Sequence, residues 1–178
     1  MKKLILTVAA VFACGFANAQ SEGVKFGLKA GLNLTNFTGD VESDGATSFY
    51  VGGLVDLAVS ENFHVQPELL YSMEGADDAS VSYLRIPIMA KYYIMEGLNL
   101  QAGPEIAFKV AAEDDFTDEV IKSMDFGLGI GAAYEMPMGL MFDVRYNLGL
   151  SNIAESDVVG DDVEIKNTGI QLGIGYRF

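Results

Sequence analysis

Apolar and polar residues alternate one by one along eight stretches of the chain. Seen at every second residue, one face of each stretch is apolar and contains no Asp, Glu, Lys, Arg or His. A period of two indicates a β-strand with two unlike faces, whereas an amphipathic helix would repeat every 3.6 residues. The eight predicted strands are residues 24–34, 49–59, 63–73, 84–94, 98–110, 124–134, 140–150 and 170–178.

The connections between these stretches alternate between short and long. The short ones are residues 61–62, 96–97 and 136–139, and the long ones are 35–48, 74–83, 111–123 and 151–168. Short periplasmic turns with long outer loops are typical of outer-membrane barrels, in which a tilted strand of about ten residues crosses the bilayer. The sequence therefore predicts an all-β fold, an eight-stranded antiparallel up-and-down transmembrane β-barrel with short periplasmic turns and long extracellular loops.

Three prolines test this fold, because they fall within neighbouring predicted strands. They are Pro67, Pro87 and Pro104. Proline has no N–H to give to a β-ladder, and a closed barrel has no free edge on which to place it. Each proline is therefore expected to mark a bulge or a local break in the ladder.

The first residues have the layout of a cleavable secretory signal. Lys2 and Lys3 precede an uncharged apolar run, and Ala17-Asn18-Ala19 offers a small-residue cleavage site. We expect residues 1–19 to be removed and residues 20–178 to form the outer-membrane β-barrel domain. The single cysteine lies in the predicted signal, so the mature chain is expected to contain no disulfide.

The polar faces of the strands carry seven basic and six acidic residues and many glycines. Because these charges nearly balance, they predict a network of ion pairs. This network is expected to fill the lumen, since eight strands leave an interior just wide enough for side chains. A soluble lipocalin-like barrel, with the apolar face inward around a ligand, is the alternative, but glycines cover a soluble exterior poorly. The charged residues are Lys25, Lys29, Asp56, Glu68, Arg85, Lys91, Glu105, Lys109, Asp125, Glu135, Asp143, Arg145 and Arg177.

Sixteen of the 25 acidic residues fall in the four long connections. Hard cations bind clustered carboxylates, so these loops could bind divalent cations that bridge to lipopolysaccharide; the alternative is that they are solvated and repel one another. No calcium-loop spacing occurs, and no metal site is predicted. The net charge of −14 argues against nucleic acid as a partner. The loop acids are Asp40, Glu42, Asp44, Glu74, Asp77, Asp78, Glu113, Asp114, Asp115, Asp118, Glu119, Glu155, Asp157, Asp161, Asp162 and Glu164.

Nucleophilic catalysis would need a base beside a nucleophile. His64 is the only histidine, and the predicted topology places it at the periplasmic rim, facing inward. Ser151 and Ser156 belong to the last long connection, at the opposite end, so a Ser-His-acid site is not expected. We predict that the protein is not an enzyme, with no catalytic residues, no cofactor-binding residues and no cofactor.

Several strand motifs resemble those of one family. Residues 63–72 (FHVQPELLYS), 83–88 (YLRIPI), 102–104 (AGP), 125–127 (DFG) and 143–150 (DVRYNLGL) resemble the outer membrane protein beta-barrel domain family, also called the porin or PorT family. The resemblance implies an eight-stranded barrel similar to the OmpA and OmpX types, without a shared activity. The terminal aromatic residue also resembles the signal read by the barrel assembly machinery.

These observations predict a monomer in the cell outer membrane, with outer-membrane lipid and lipopolysaccharide as surroundings. The expected role is structural or surface interaction, with a plugged lumen. Two alternatives remain: a small porin-like channel, which needs an open lumen, and an accessory barrel of a secretion or surface-assembly system, whose determinants would lie in the loops.

Overall fold

The computed structural model describes residues 23–39, 46–76, 79–112, 124–151 and 165–178. Within them, eight antiparallel strands form a closed barrel in which each strand pairs with its sequence neighbours and the last strand pairs with the first. The strands are β1 (Val24–Gly39), β2 (Ala46–Ala58), β3 (Phe63–Ala76), β4 (Ala79–Met95), β5 (Leu98–Ala112), β6 (Met124–Glu135), β7 (Leu140–Gly149) and β8 (Ile165–Arg177). The predicted up-and-down barrel is confirmed.

The predicted signal, residues 1–19, lies outside the described residues, and its removal stays a prediction. No helix among the described residues is long and apolar enough to span a membrane.

The apolar face of the strands points outward and the polar face inward. On β6, for example, Phe126 is 46% exposed while its neighbour Asp125 is 2% exposed. The same alternation holds around the barrel, where leucines, isoleucines, valines and aromatic residues form the exterior. A soluble lipocalin-like barrel would have the opposite arrangement, so this alternative is wrong.

Most exposed aromatic side chains lie near the two ends of the strands, whereas Tyr146 lies opposite Ile130, nearer the middle of the barrel wall. Such girdles lie at the two interfaces of a membrane-spanning barrel, where an aromatic ring meets the headgroups. The periplasmic girdle contains Phe63, Tyr92, Tyr134, Phe142, Tyr176 and Phe178, and the outer girdle contains Phe49, Tyr71, Phe108 and Phe126.

One of the four predicted long connections is a tight hairpin instead. β3 and β4 stay paired as far as Ala76 and Ala79, so the expected loop 74–83 is mostly strand. Glu74, expected in a solvated loop, is 2% exposed inside the barrel. The other three predicted long connections are shorter than expected, because β1, β2, β5 and β8 extend into them. The other fifteen loop acids lie outside the described residues.

The three prolines interrupt three neighbouring ladders. Pairing lapses at Pro67 between β2 and β3, at Pro87 between β3 and β4, and at Pro104 between β4 and β5. The register is the same on both sides of each gap, so these are local breaks and not bulges. The expected break follows from the missing N–H of proline.

Candidate functional site: the lumen and its periplasmic mouth

Four buried charges meet in the middle of the barrel. Arg145 on β7 and Glu68 on β3 have fully buried side chains, and the two guanidinium Nη atoms donate to the carboxylate oxygens at 2.7 and 3.0 Å. Lys29 Nζ lies 2.8 Å from Asp143 Oδ1 and 3.8 Å from Glu68 Oε2. Bidentate, charge-assisted pairs of this kind are the stronger hydrogen bonds in proteins. We call Lys29, Glu68, Asp143 and Arg145 the central cluster.

Glycines on the inward faces make room for these long side chains. A Cβ added to Gly129 on β6 would lie 3.0 Å from Arg145 Cδ. A Cβ added to Gly173 on β8 would collide with Asp143 and Tyr50. The side chains of one wall therefore rest against the bare backbone of another, and the lumen fills without widening the barrel.

A second group of charges lies near the short turns. Arg177 Nη1 is 2.5 Å from Asp56 Oδ2 and 2.6 Å from Glu135 Oε2. Lys91 Nζ is 3.2 Å from Asp56 Oδ2 and also pairs with Glu135. His64 Nδ1 lies 2.6 Å from Asp56 Oδ1. Two carboxylates thus balance two permanent cations in this periplasmic cluster of Asp56, His64, Lys91, Glu135 and Arg177.

A third group lies toward the long loops. Arg85 on β4 pairs with Glu74, and its Nη1 donates to Glu105 Oε1 at 2.7 Å. The hydroxyl of Ser72 donates to Glu74 at 2.7 Å. We call Glu74, Arg85 and Glu105 the outer cluster. Glu74 is the member that sequence reasoning missed, because it had been assigned to a loop.

Two groups of inward residues depart from the prediction. Lys25, expected among the lumen charges, is exposed at the periplasmic mouth. Large uncharged residues also fill the interior, and the alternating pattern did not indicate them, since they stand on faces that are otherwise polar. They are Tyr50, Leu54, Leu70, Tyr83 and Met89, each at most 1% exposed.

The space between the central and periplasmic clusters is small, and a wider space lies at the periplasmic mouth. Between the central and periplasmic clusters lies a cavity of about 10 Å³, lined by Gln66, Gln101 and Ala133 among others, which is about the size of one water molecule. At the periplasmic mouth, a vestibule of about 530 Å³ is lined by His64, Tyr93 and the β6–β7 turn.

The candidate catalytic residues lie at opposite ends of the barrel. His64 is at the periplasmic mouth, as the sequence predicts, and its side chain is 17% exposed. Ser151 follows β7 at the other end, where its hydroxyl donates to Asp125 at 2.7 Å. Ser156 lies outside the described residues. The structure therefore does not bring His64 and Ser151 together.

Comparison with known proteins finds one family whose model matches the chain, and solved structures that share its fold. The model of the outer membrane protein beta-barrel domain matches residues 16–155. No curated protein sequence matches the chain.

Two solved structures share the fold. Ail, the attachment invasion locus protein of Yersinia pestis, is 17% identical with a TM-score of 0.54, over 89% of this chain and 100% of Ail. Neisserial surface protein A is 11% identical with a TM-score of 0.57, over 88% of this chain and 100% of that protein. At such identities the likeness concerns the fold alone.

Proposed function

Because the chain belongs to the outer membrane protein beta-barrel domain family and lies in the cell outer membrane, we propose that it is a structural or surface-interaction barrel with a plugged lumen and no catalytic activity. The observation that carries the proposal is the Glu68–Arg145 pair. β3 and β7 are four strands apart in a ring of eight, so this fully buried pair crosses the whole lumen.

The three clusters form successive barriers along the barrel. A passing solute would have to separate buried ion pairs, and a buried charge left without its partner costs about 3–5 kcal/mol. The central cluster alone joins β1, β3 and β7, which holds three parts of the wall together across the lumen. This arrangement supports a mechanical or surface role over the porin-like alternative.

Conductance is the direct test of the plug. The purified barrel in a planar bilayer is expected to show no steady openings, because the central cluster blocks the path. The double variant Glu68→Ala, Arg145→Ala keeps the net charge but removes both long side chains, and it is expected to open intermittently. Steady porin-like conductance of the unsubstituted barrel would instead favour the channel.

Lipid is the partner that the exterior supports best. The outward face is apolar along every strand and is bounded by the two aromatic girdles. We propose in addition that the outer acidic loops hold divalent cations that bridge to lipopolysaccharide, a proposal that rests on the clustering of carboxylates in the sequence.

An accessory role in secretion or surface assembly is the second candidate for the loops. Cross-linking in native outer membranes, followed by capture of the barrel, would separate the two roles. Recovery of the barrel with lipopolysaccharide alone supports the structural role, and stoichiometric recovery of one envelope protein supports the accessory role.

The last residue is expected to matter for assembly. Phe178 is 54% exposed, its N–H donates to the carbonyl of Phe26 at 2.8 Å, and its ring packs edge-on against Tyr176 at 5.5 Å between centroids. We propose that the barrel assembly machinery reads this exposed ring, so Phe178→Asp should leave unassembled chain in the periplasm. The measurement is the heat-modifiable fraction in outer-membrane preparations, with Phe178→Tyr as the matched control. Equal assembly of the two variants would contradict recognition of the aromatic ring.

A further inference from the structure

A pocket of about 450 Å³ lies at the periplasmic girdle, between the β2–β3 turn and the end of β4. Its volume is in the range of about 300–1,000 Å³ that is usual for small-molecule sites. The lining has a polar part and an apolar part. The polar part contains Glu61, Asn62 and Glu96, and the apolar part contains Tyr92, Ile94 and Met95. We call it the girdle pocket.

A bulge in β4 forms the apolar part of the girdle pocket. The ladder with β5 shifts its register between Tyr93 and Met95, so Ile94 is an extra residue on β4. The strict alternation of faces is lost there, and the adjacent Ile94 and Met95 are 49% and 61% exposed. Bulges re-aim side chains in this way. The bulge therefore places two apolar side chains beside the exposed ring of Tyr92, at the edge of the lipid-facing surface.

Backbone hydrogen bonds fix the polar part of the pocket against β4. Tyr93 N donates to the carbonyl of Asn62 at 2.8 Å, which joins the β2–β3 turn to the end of β4. Within that turn, Ser60 N donates to the carbonyl of Phe63 at 2.9 Å, and Phe63 N donates to the hydroxyl of Ser60 at 3.1 Å. The turn that carries Glu61 is thus held beside β4, and the pocket is formed before any ligand arrives.

The charge of the girdle pocket is negative and unbalanced. Its lining contains two exposed carboxylates, Glu61 and Glu96, and neither Lys nor Arg. Both glutamates also border the mouth vestibule, but among the described residues neither forms an ion pair with Lys25 or Arg177 of that vestibule. The two carboxylates are therefore available to a cationic group from outside the chain.

Position and chemistry together select an amphiphile with a cationic head. The apolar part of the pocket continues the lipid-facing surface at the level of the periplasmic girdle, where a ring such as Tyr92 meets lipid headgroups. The acidic part favours an ammonium group, and the exposed Asn62 has amide N–H groups to donate to a phosphate. A soluble cation would leave the apolar part unused, and an anionic phospholipid would meet two like charges.

We propose that the girdle pocket binds the headgroup of an aminophospholipid, with the ammonium at Glu61 and Glu96 and an acyl chain along Tyr92, Ile94 and Met95. This inference rests on the proposed lipid partner of the exterior and adds a selective site to it.

Retention of lipid measures the selectivity. The barrel is folded into vesicles of equal parts phosphatidylethanolamine and phosphatidylglycerol with the same acyl chains, extracted, and weighed by native mass spectrometry. We expect one phosphatidylethanolamine to be retained in preference to phosphatidylglycerol. The double variant Glu61→Gln, Glu96→Gln should lower that preference by about threefold to fivefold, the range that exposed ion pairs supply. Lys25→Gln is the control, because Lys25 is an exposed charge of the periplasmic rim outside the pocket.

An apolar variant separates the pocket from the general surface charge. Ile94→Ala, Met95→Ala leaves every charge in place and should lower the retention of phosphatidylethanolamine, whereas an effect of surface charge would leave retention unchanged and would respond to Lys25→Gln as strongly as to the glutamate variant. Heat-modifiable migration reports the folding of each variant.

Failure of the site and failure of the lipid partner give different results. A barrel that inserts into these vesicles but retains the two lipids equally, or that keeps its preference in the folded glutamate variant, would overturn the selective site alone. A barrel that enters no bilayer would overturn the lipid partner as well.

Discussion

Arg145→Met is expected to lower the free energy of unfolding by about 3–5 kcal/mol, the cost of leaving one member of a buried ion pair alone. Arg145 and Glu68 have no exposed side-chain surface, and the arginine supplies two hydrogen bonds to the carboxylate. Methionine fills part of the same space without a charge. Lys29 stays 3.8 Å from Glu68 and compensates in part, which places the expected effect toward the lower end of that range.

A double-mutant cycle separates the energy of the Glu68–Arg145 ion pair from that of the packing of the two side chains. Glu68→Leu combined with Arg145→Met removes both charges, and replacing both members of a buried pair by apolar residues is often neutral. The double variant should therefore be more stable than Arg145→Met alone. The measurement is a urea titration of reversible folding into lipid vesicles, with the exposed Lys25→Met as a control that should change stability by less than about 0.5 kcal/mol. If Arg145→Met were as mild as Lys25→Met, the central cluster would not support the barrel.

The exterior of the barrel was predictable because lipid imposes one rule on it. Every second side chain between the girdles must be apolar, so the period of two is unbroken in residues such as Ile170, Leu172 and Ile174 on β8, which are 42–48% exposed. The alternation gives the strand count and the face of the residues between the girdles, and the lengths of the connections add the strand order.

The rule fails where the strands leave the membrane, and the β3–β4 hairpin shows why. Beyond the apolar zone an outward residue meets polar surroundings, so Tyr71 and Ser82 share a hydroxyl hydrogen bond of 3.0 Å on the exterior. The inward residues there, Val81 and Tyr83, are fully buried and apolar or aromatic. The alternation therefore reverses while the strand pairing continues, and the sequence pattern suggests a loop.

The lumen charges were predictable as a set, but their partners were not. Arg145 and Glu68 are separated by 77 positions, and which of the carboxylates meets the guanidinium depends on strand register and tilt.

Ile88→Arg tests how deep β4 lies in the membrane. Ile88 is in the middle of β4 and Ile94 is near its periplasmic end, and the two isoleucines are outward-facing and 48% and 49% exposed. Their six-residue separation amounts to about 20 Å along a strand. Arginine on the lipid face costs about 2–4 kcal/mol at the bilayer midplane and about 0–1 kcal/mol near the interface, so Ile88→Arg should destabilise the barrel by that larger amount and Ile94→Arg hardly at all.

Ile88 and Ile94 are matched in residue type, strand, face and exposure, so the property in which they differ is their depth in the membrane. Urea titrations of folding into vesicles of one lipid composition give the free energies of unfolding of the two variants directly. Vesicles with shorter acyl chains should reduce the penalty of Ile88→Arg, because a thinner bilayer lets the guanidinium reach the headgroups. Ile88 lies opposite Pro104 at the break in the β4–β5 ladder, so Ile88→Ala serves to separate any loss of local packing from the cost of the charge. Equal penalties for the two arginine variants would mean that the bilayer is not centred on the middle of β4, and the girdle assignment would have to move with it.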